Sequence, residues 1–124
     1  MSKSSPKEKK YRWVKIFSSE EEMKNSLPYL KTNSISAFGK KICLVHGTDG
    51  FYAVRDKCPH NGYPLSGGYC NEDNSIVCPI HRYHFDLKSG KALSGTATKV
   101  ETFVVKVFSD GVFLGEEEFN WWPF

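Results

Sequence analysis

Two short segments, Cys58-Pro-His60 and, after seventeen intervening residues, Cys78-Pro-Ile-His81, constrain this chain more than anything else in it. Each offers a thiol and then an imidazole, so together they present two sulfurs and two nitrogens to a metal. A structural zinc ion suits such a donor set in tetrahedral geometry. Zinc modules, however, usually pair like residues within one knuckle, whereas here each segment repeats the same unlike pair. That repetition feeds one ligand of each kind to each side of a two-iron centre, where two thiolates hold one iron and two imidazoles the other. On this reading Cys58 and Cys78 bind the first iron, and His60 and His81 the second. Neutral imidazoles carry less negative charge than thiolates, so such a centre is easier to reduce, at roughly −150 to +300 mV against about −400 mV for four-thiolate plant-type ferredoxins.

The stretches Cys58-Pro-His60-Asn-Gly62 and Cys78-Pro-Ile-His81, followed by Phe85-Asp86 and Ser89-Gly90, resemble the Rieske 2Fe-2S ferredoxin-type family. The resemblance implies an all-β Rieske iron-sulfur fold: an antiparallel β-sandwich base, a small cluster-binding insert and one short helix. It implies one 2Fe-2S cluster held by Cys58, His60, Cys78 and His81. It also implies a one-electron carrier between a flavoprotein reductase and a terminal oxygenase. The family includes the small Rieske subunit of assimilatory nitrite reductase, which is the alternative role. A non-redox, metal-stabilised binding module is what the zinc reading would leave. The sequence has no nucleotide-binding glycine loop and no second motif of two histidines and a carboxylate, so it reads as an electron-transfer component rather than an enzyme by itself.

Departures from the family pattern bear on potential. Respiratory members carry two extra loop cysteines, where this chain has Tyr63 and Ile80. They also place a serine and a tyrosine hydroxyl two and four residues after the second ligand histidine, each donating toward cluster sulfur; here the positions hold Tyr83 and Phe85. Hydrogen bonds to sulfur stabilise the more negative reduced state, so their loss predicts a low potential for the class. Many ferredoxin-type members have glycine after the second ligand histidine, where Arg82 stands here, with His84 two further on. Both are candidates to add positive charge at the cluster mouth, or are simply solvated. Leu93-Ser94-Gly95-Thr96-Ala97 replaces a proline-containing loop that often covers the cluster.

With 124 residues, 40% of them hydrophobic, the chain is long enough for one domain and too short for two. Of its net charge of +3, residues 1 to 15 hold +5, from Lys3, Lys7, Lys9, Lys10, Arg12 and Lys15 against Glu8, leaving −2 elsewhere. Residues 1–10 are therefore expected to be a disordered basic leader and residues 11–124 a single domain, with 57–86 as its cluster-binding insert. The basic leader is read as solvated, with no nucleic-acid partner. No apolar run approaches a membrane span and no secretory signal precedes the domain, which suits a cytoplasmic protein. Two cysteines remain. Cys43 lies in the strand-like run Lys41-Ile-Cys-Leu-Val45 and should be a small buried hydrophobe; Cys70 is expected in a loop, partly exposed, and a disulfide between the two would be out of place in a reducing compartment.

Elsewhere the hydrophobic period is mostly two. Tyr11 to Phe17 predicts an opening strand. Ser18 and Ser19 before Glu20-Glu21-Glu22 predict a capped short helix that Pro28 closes. Lys40 to His46 and Phe51 to Asp56 flank a Gly47-Thr-Asp-Gly50 turn, and the second of these strands leads straight to Cys58. Gly62, Gly67 and Gly68 are expected to let backbone amides approach the cluster. Ser75 to Cys78 and Tyr83 to Leu87 read as strands entering and leaving the second ligand segment, and Val100 to Phe108 and Val112 to Leu114 as a closing hairpin. His46 is a surface or packing residue. The C-terminal segment, Glu116-Glu-Glu-Phe-Asn-Trp-Trp-Pro-Phe124, is expected to pack back on the sheet, an exposed docking edge being the alternative.

Overall fold

A computed structural model describes residues 10–93 and 97–117. The expected leader, the middle of the Leu93 to Ala97 segment and the aromatic end therefore lie outside the described residues, Lys10 and the flanks of that segment excepted.

The opening strand β1 (Tyr11–Phe17) runs into helix α1 (Glu20–Ser26). The helix starts where the serines predict: Ser19 Oγ accepts from the Glu22 N–H at 3.0 Å, and the Glu22 carboxylate reaches back to the Ser18 N–H at 2.6 Å. This reciprocal cap satisfies backbone donors that a helix start leaves free. One face of these roughly two turns is apolar, and it seats Met23, with the capping Leu27, in the interior.

Then follow β2 (Thr32–Ala37), β3 (Lys40–His46) and β4 (Phe51–Arg55), and, after the insert, β8 (Thr102–Phe108) and β9 (Gly111–Glu117). They form a six-stranded antiparallel sheet in the order β1-β9-β8-β4-β3-β2. Strand β8 joins its halves: Thr102 and Phe103 pair with β4, while Val104 to Phe108 pair with β9. The halves close on one core in which Ile42, Leu44 and Ala53 meet Phe103 and Leu114. This is the expected all-β base.

The insert is a second, three-stranded antiparallel sheet of β5 (Tyr69–Asn71), β6 (Ser75–Val77) and β7 (His84–Asp86), preceded by a 3-10 turn at Leu65–Gly67. Strand β3 is the wall between base and insert. Because successive side chains point to opposite faces, Ile42 and Leu44 enter the base core, whereas Cys43 and Val45 enter a second core with Val54, Cys58, Leu65, Cys70, Ile76, Cys78, Phe85 and Leu87. A strand buried on both faces reads as a continuous apolar run, which is why Ile-Cys-Leu-Val is unbroken.

Two expectations need correction. Cys70 is not in a loop but in β5, and it is 5% exposed; all four cysteines are free thiols. Burial pushes the Cys43 thiol far above its ordinary range and the Cys70 thiol up to about 11, with Asp73 adding to the latter. Gly68 serves the sheet, not a sulfur: a Cβ there would lie 1.9 Å from the Val77 carbonyl oxygen, so only glycine lets the chain cross β6 so closely. His46 packs as expected, stacked on Phe51 at 4.1 Å with its Nδ1 2.9 Å from the Leu27 carbonyl oxygen.

Candidate metal centre

Strand β4 delivers the chain to Cys58 through Asp56, and Asp56 anchors that approach. Its carboxylate accepts from the Ser66 N–H and Ser66 Oγ, both at 2.7 Å, and from Ser34 Oγ at 2.9 Å. The 3-10 turn, β2 and the end of β4 are thereby tied at the root of the first loop. The sequence reading assigned Asp56 no role, since only the fold brings Ser34 and Ser66 to it.

The two loops are built alike. The Cys58 N–H donates to the Tyr63 carbonyl at 2.8 Å, and the Cys78 N–H donates to the Tyr83 carbonyl at 2.9 Å. Each cysteine thus closes a loop onto the residue five positions later. Within the first, Gly62 stands at φ +82 and donates to the Cys58 carbonyl at 2.7 Å. Within the second, His81 and Arg82 take φ of +104 and +57. Positive φ is costly for side chains with a Cβ, so Arg82 holds by surrounding structure a conformation that glycine would adopt freely.

This folding turns the unlike donors in opposite directions. Cys58 and Cys78 are 1% and 0% exposed at the floor of the site, with their thiols near enough to interact, while His60 and His81 are exposed at its rim. Burial pushes the Cys78 thiol up; the Ile80 N–H and the Asn61 amide pull it down, and the Cys58 sulfur raises it again. The imidazole rings stand 6.4 Å apart at 85°, and Tyr83 packs on His60 at 4.3 Å and on His81 at 6.2 Å. All four expected side chains therefore come to one end of the insert, as an inner pair of sulfurs and an outer pair of imidazoles.

That pairing fits a two-iron cluster, which spreads its ligands into a thiolate pair and an imidazole pair on either side of its width. A single tetrahedral ion would instead need all four donors gathered at one point. Phe85 is fully buried beside the cysteines and carries no donor, and the Tyr83 ring packs on the two imidazoles. His84, a candidate for the mouth or for a solvated place, lies in β7, half-buried, with Nδ1 3.3 Å from Ser75 Oγ and 3.9 Å from the Asp73 carboxylate. Alternation along β7 sends Phe85 into the core and leaves its neighbour His84 on the other face. Arg82 remains exposed at the rim.

Comparison with known proteins agrees with this geometry. The profile of the Rieske [2Fe-2S] domain matches residues 12–108. The 3-phenylpropionate/cinnamic acid dioxygenase ferredoxin subunit of Escherichia coli strain K12 is 40% identical over 74 residues, which are 59% of this chain and 70% of that protein. Among solved structures, a chain in the complex of reduced oxygenase and oxidized ferredoxin of carbazole 1,9a-dioxygenase superimposes with a TM-score of 0.71 at 22% identity, covering 87% of this chain and 97% of that one. A protein described as the small subunit of an NADPH nitrite reductase gives 0.68 at 26% identity, covering 83% and 97%. Among the described residues no helix is long and apolar enough to cross a membrane. The inner thiols, the outer imidazoles and the match across 12–108 lead to one assignment: the chain belongs to the Rieske [2Fe-2S] domain family.

Proposed function

We propose that Cys58 and Cys78 hold one iron and His60 and His81 the other iron of a 2Fe-2S cluster, and that the protein is a ferredoxin passing single electrons from a flavoprotein reductase to a terminal oxygenase. The observation that carries this reading is the opposed exposure of the donors, with sulfurs at the floor and imidazoles at the rim. When bound, the cluster supplies reversible one-electron chemistry at a potential set by its surroundings.

The chain's own residues do the rest. The second core around Cys58 and Cys78 keeps water from the sulfur side, and the closed loops hold the donors at a set spacing. His60 and His81, exposed, offer the edge by which an electron leaves. Around them Pro59, Tyr63, Pro79 and Ile80 form an exposed apolar rim, with Lys57 and Arg82 as its cations. Such a rim suits a transient complex with a partner whose contact surface is apolar at its centre and acidic at its edge.

The role as a ferredoxin component is favoured by the 40% identity to a dioxygenase ferredoxin subunit. The nitrite reductase subunit reading is favoured by the fold alone, which both kinds of protein share. A cytoplasmic setting suits the buried free thiols.

The test is electron paramagnetic resonance of the dithionite-reduced protein, with iron and zinc assayed on the same sample. A reduced 2Fe-2S signal with two irons per chain, lost on substituting Cys58 or His81, supports the reading. Stoichiometric zinc without a signal overturns it in favour of a non-redox module. Proteins copurifying from the native cell then separate a mobile carrier from a fixed reductase subunit.

A further inference from the structure

Asn61 follows the first imidazole, and its side chain spans the two loops. Its Oδ1 accepts from the Tyr63 N–H at 2.8 Å, closing a short turn within the first loop. Its Nδ2 lies 3.7 Å from Cys78 Sγ on the second. The two halves of a carboxamide cannot be told apart by shape, and here the partners decide: a backbone N–H can only donate, so the oxygen must face Tyr63 and the amino group the sulfur. The Cys78 Sγ also lies near Asn61 Oδ1, at 3.9 Å, as a thiol could donate. A metal-bound thiolate has no proton to give, so only the contact in which Nδ2–H donates survives ligation.

We propose that Asn61 is a potential-setting residue of this centre, donating its amide N–H across the loops to the sulfur of Cys78. The inference rests on the ligand assignment proposed above. A donor aimed at a ligand sulfur stabilises the reduced cluster, which carries the extra electron, more than the oxidised one, and so raises the potential. Phe85 has no hydroxyl, and among the described residues the side-chain donor within reach of Cys78 Sγ is Asn61, not Tyr83. The Ile80 N–H is the other donor that acts on Cys78, but it belongs to the backbone, so Asn61 is the side chain by which substitution can tune the sulfur. Asn61 sits on the first loop and Cys78 on the second, so the contact crosses between the loops.

The experiment compares the full-length, cluster-loaded wild type with Asn61→Ala and Asn61→Ser by potentiometric titration, with iron content and the paramagnetic spectrum recorded for each. Serine keeps a hydroxyl that can accept from the Tyr63 N–H, but carries no amide and is too short to reach Cys78. In both variants the ratio of reduced to oxidised protein at a fixed potential should fall about threefold to tenfold, a midpoint drop of about 28 to 59 mV for a one-electron couple. A midpoint unchanged in both, with two irons retained, overturns the inference; a drop in the alanine variant alone assigns the effect to the turn and overturns it equally. In wild type labelled with 15N at asparagine side chains, pulsed paramagnetic resonance should detect a nitrogen coupled to the reduced cluster. Its absence overturns the inference without any variant having to fold. Failure of the ligand assignment itself would show earlier, as wild type lacking two irons.

Discussion

Gly68→Ala should damage both the small sheet and the loop that follows it. The new Cβ would stand 1.9 Å from the Val77 carbonyl oxygen, 3.1 Å from its carbon and 3.2 Å from Pro79 Cδ. All three belong to the backbone or to a proline ring, so no flexible side-chain end can swing away. Ordinary contact lies near 3.5 Å, and relief therefore requires β5 and β6 to part by about 1.5 Å at the Tyr69–Val77 pair. That sheet has only three paired positions between these strands, so losing one pair gives up one or two hydrogen bonds at about 0.5–1.5 kcal/mol each. Overpacking adds about 1–3 kcal/mol. The total, about 1.5–6 kcal/mol, is a large part of the stability of a domain of this size. Val77 immediately precedes Cys78, so iron retention should fall as well. Gly39→Ala is the control: Gly39 stands at φ +71 in the two-residue turn between β2 and β3, with nothing within 4 Å of the added Cβ, so it should cost only the left-handed penalty of about 1–2 kcal/mol and leave the cluster intact. Denaturant unfolding, with the slope checked for constancy, reads both. If Gly68→Ala proved no more destabilising than Gly39→Ala, the close crossing of β5 over β6 would be wrong.

With no hydroxyl on Phe85, and the Tyr83 ring packed against the two imidazoles, the midpoint is expected in the lower part of the range of roughly −150 to +300 mV; a redox titration near +300 mV would contradict it. Glu116 is buried and accepts from Arg12 and from Lys40 Nζ at 2.5 Å. Burial alone would raise its pKa, but the Lys40 and Arg12 hydrogen bonds outweigh it and hold the carboxyl below the ordinary glutamate value. A depressed folded-state pKa gives stability that is present above the unfolded value of about 4.3 and is lost as pH falls through the lower folded value. Unfolding midpoints of wild type should therefore drop below about pH 4.3, and Glu116→Gln should flatten that part of the curve; parallel curves would remove Glu116 from the account. Arg82→Gly relieves a left-handed residue worth about 1–2 kcal/mol but adds about 0.4–1 kcal/mol of unfolded-chain entropy. Thermal unfolding should show a gain between zero and about 1.5 kcal/mol, and a clear loss would mean that the guanidinium makes a contact the loop needs.

The ligand segments and the strands around them were legible because their signals are local. Ile42 to Val45 is a strand at any reading, and Ser19 with Glu22 announces a helix start. Strand β2 was not anticipated, since Thr32-Asn-Ser-Ile-Ser-Ala37 is an edge strand whose only aliphatic side chains, Ile35 and Ala37, are half-buried; its hairpin with β3 depends on Phe38 as well as Gly39 accepting a positive φ, which the phenylalanine does not advertise. Cys70 was misplaced because a three-residue strand is too short to display a period. Asp56 and Asn61 were passed over for a different reason. Their partners lie at Ser34 and Ser66 for the one, and on the opposite loop for the other. Only the closed fold brings those groups within reach.

The like closure of the two loops lets them share a backbone shape while their side chains differ. In both, the cysteine N–H is received by a main-chain carbonyl five residues on, and any residue supplies a carbonyl. Tyr63 and Tyr83 thus do the same thing with their backbones while their rings part company: Tyr63 is 39% exposed and lies beside Gly67, whereas Tyr83 is half-buried against both imidazoles. Ligand spacing is accordingly a property of the backbone and of the small sheet that frames the second loop. The side chains at 61, 63, 80 and 83 remain free to set potential and partner contact. For a carrier that division is useful, since one electron can be gained or lost between rigid loops with little rearrangement. Substitutions at the rim should then change how readily and to whom the electron moves, whereas substitutions such as Gly68→Ala beneath the loops should decide whether a centre is held at all.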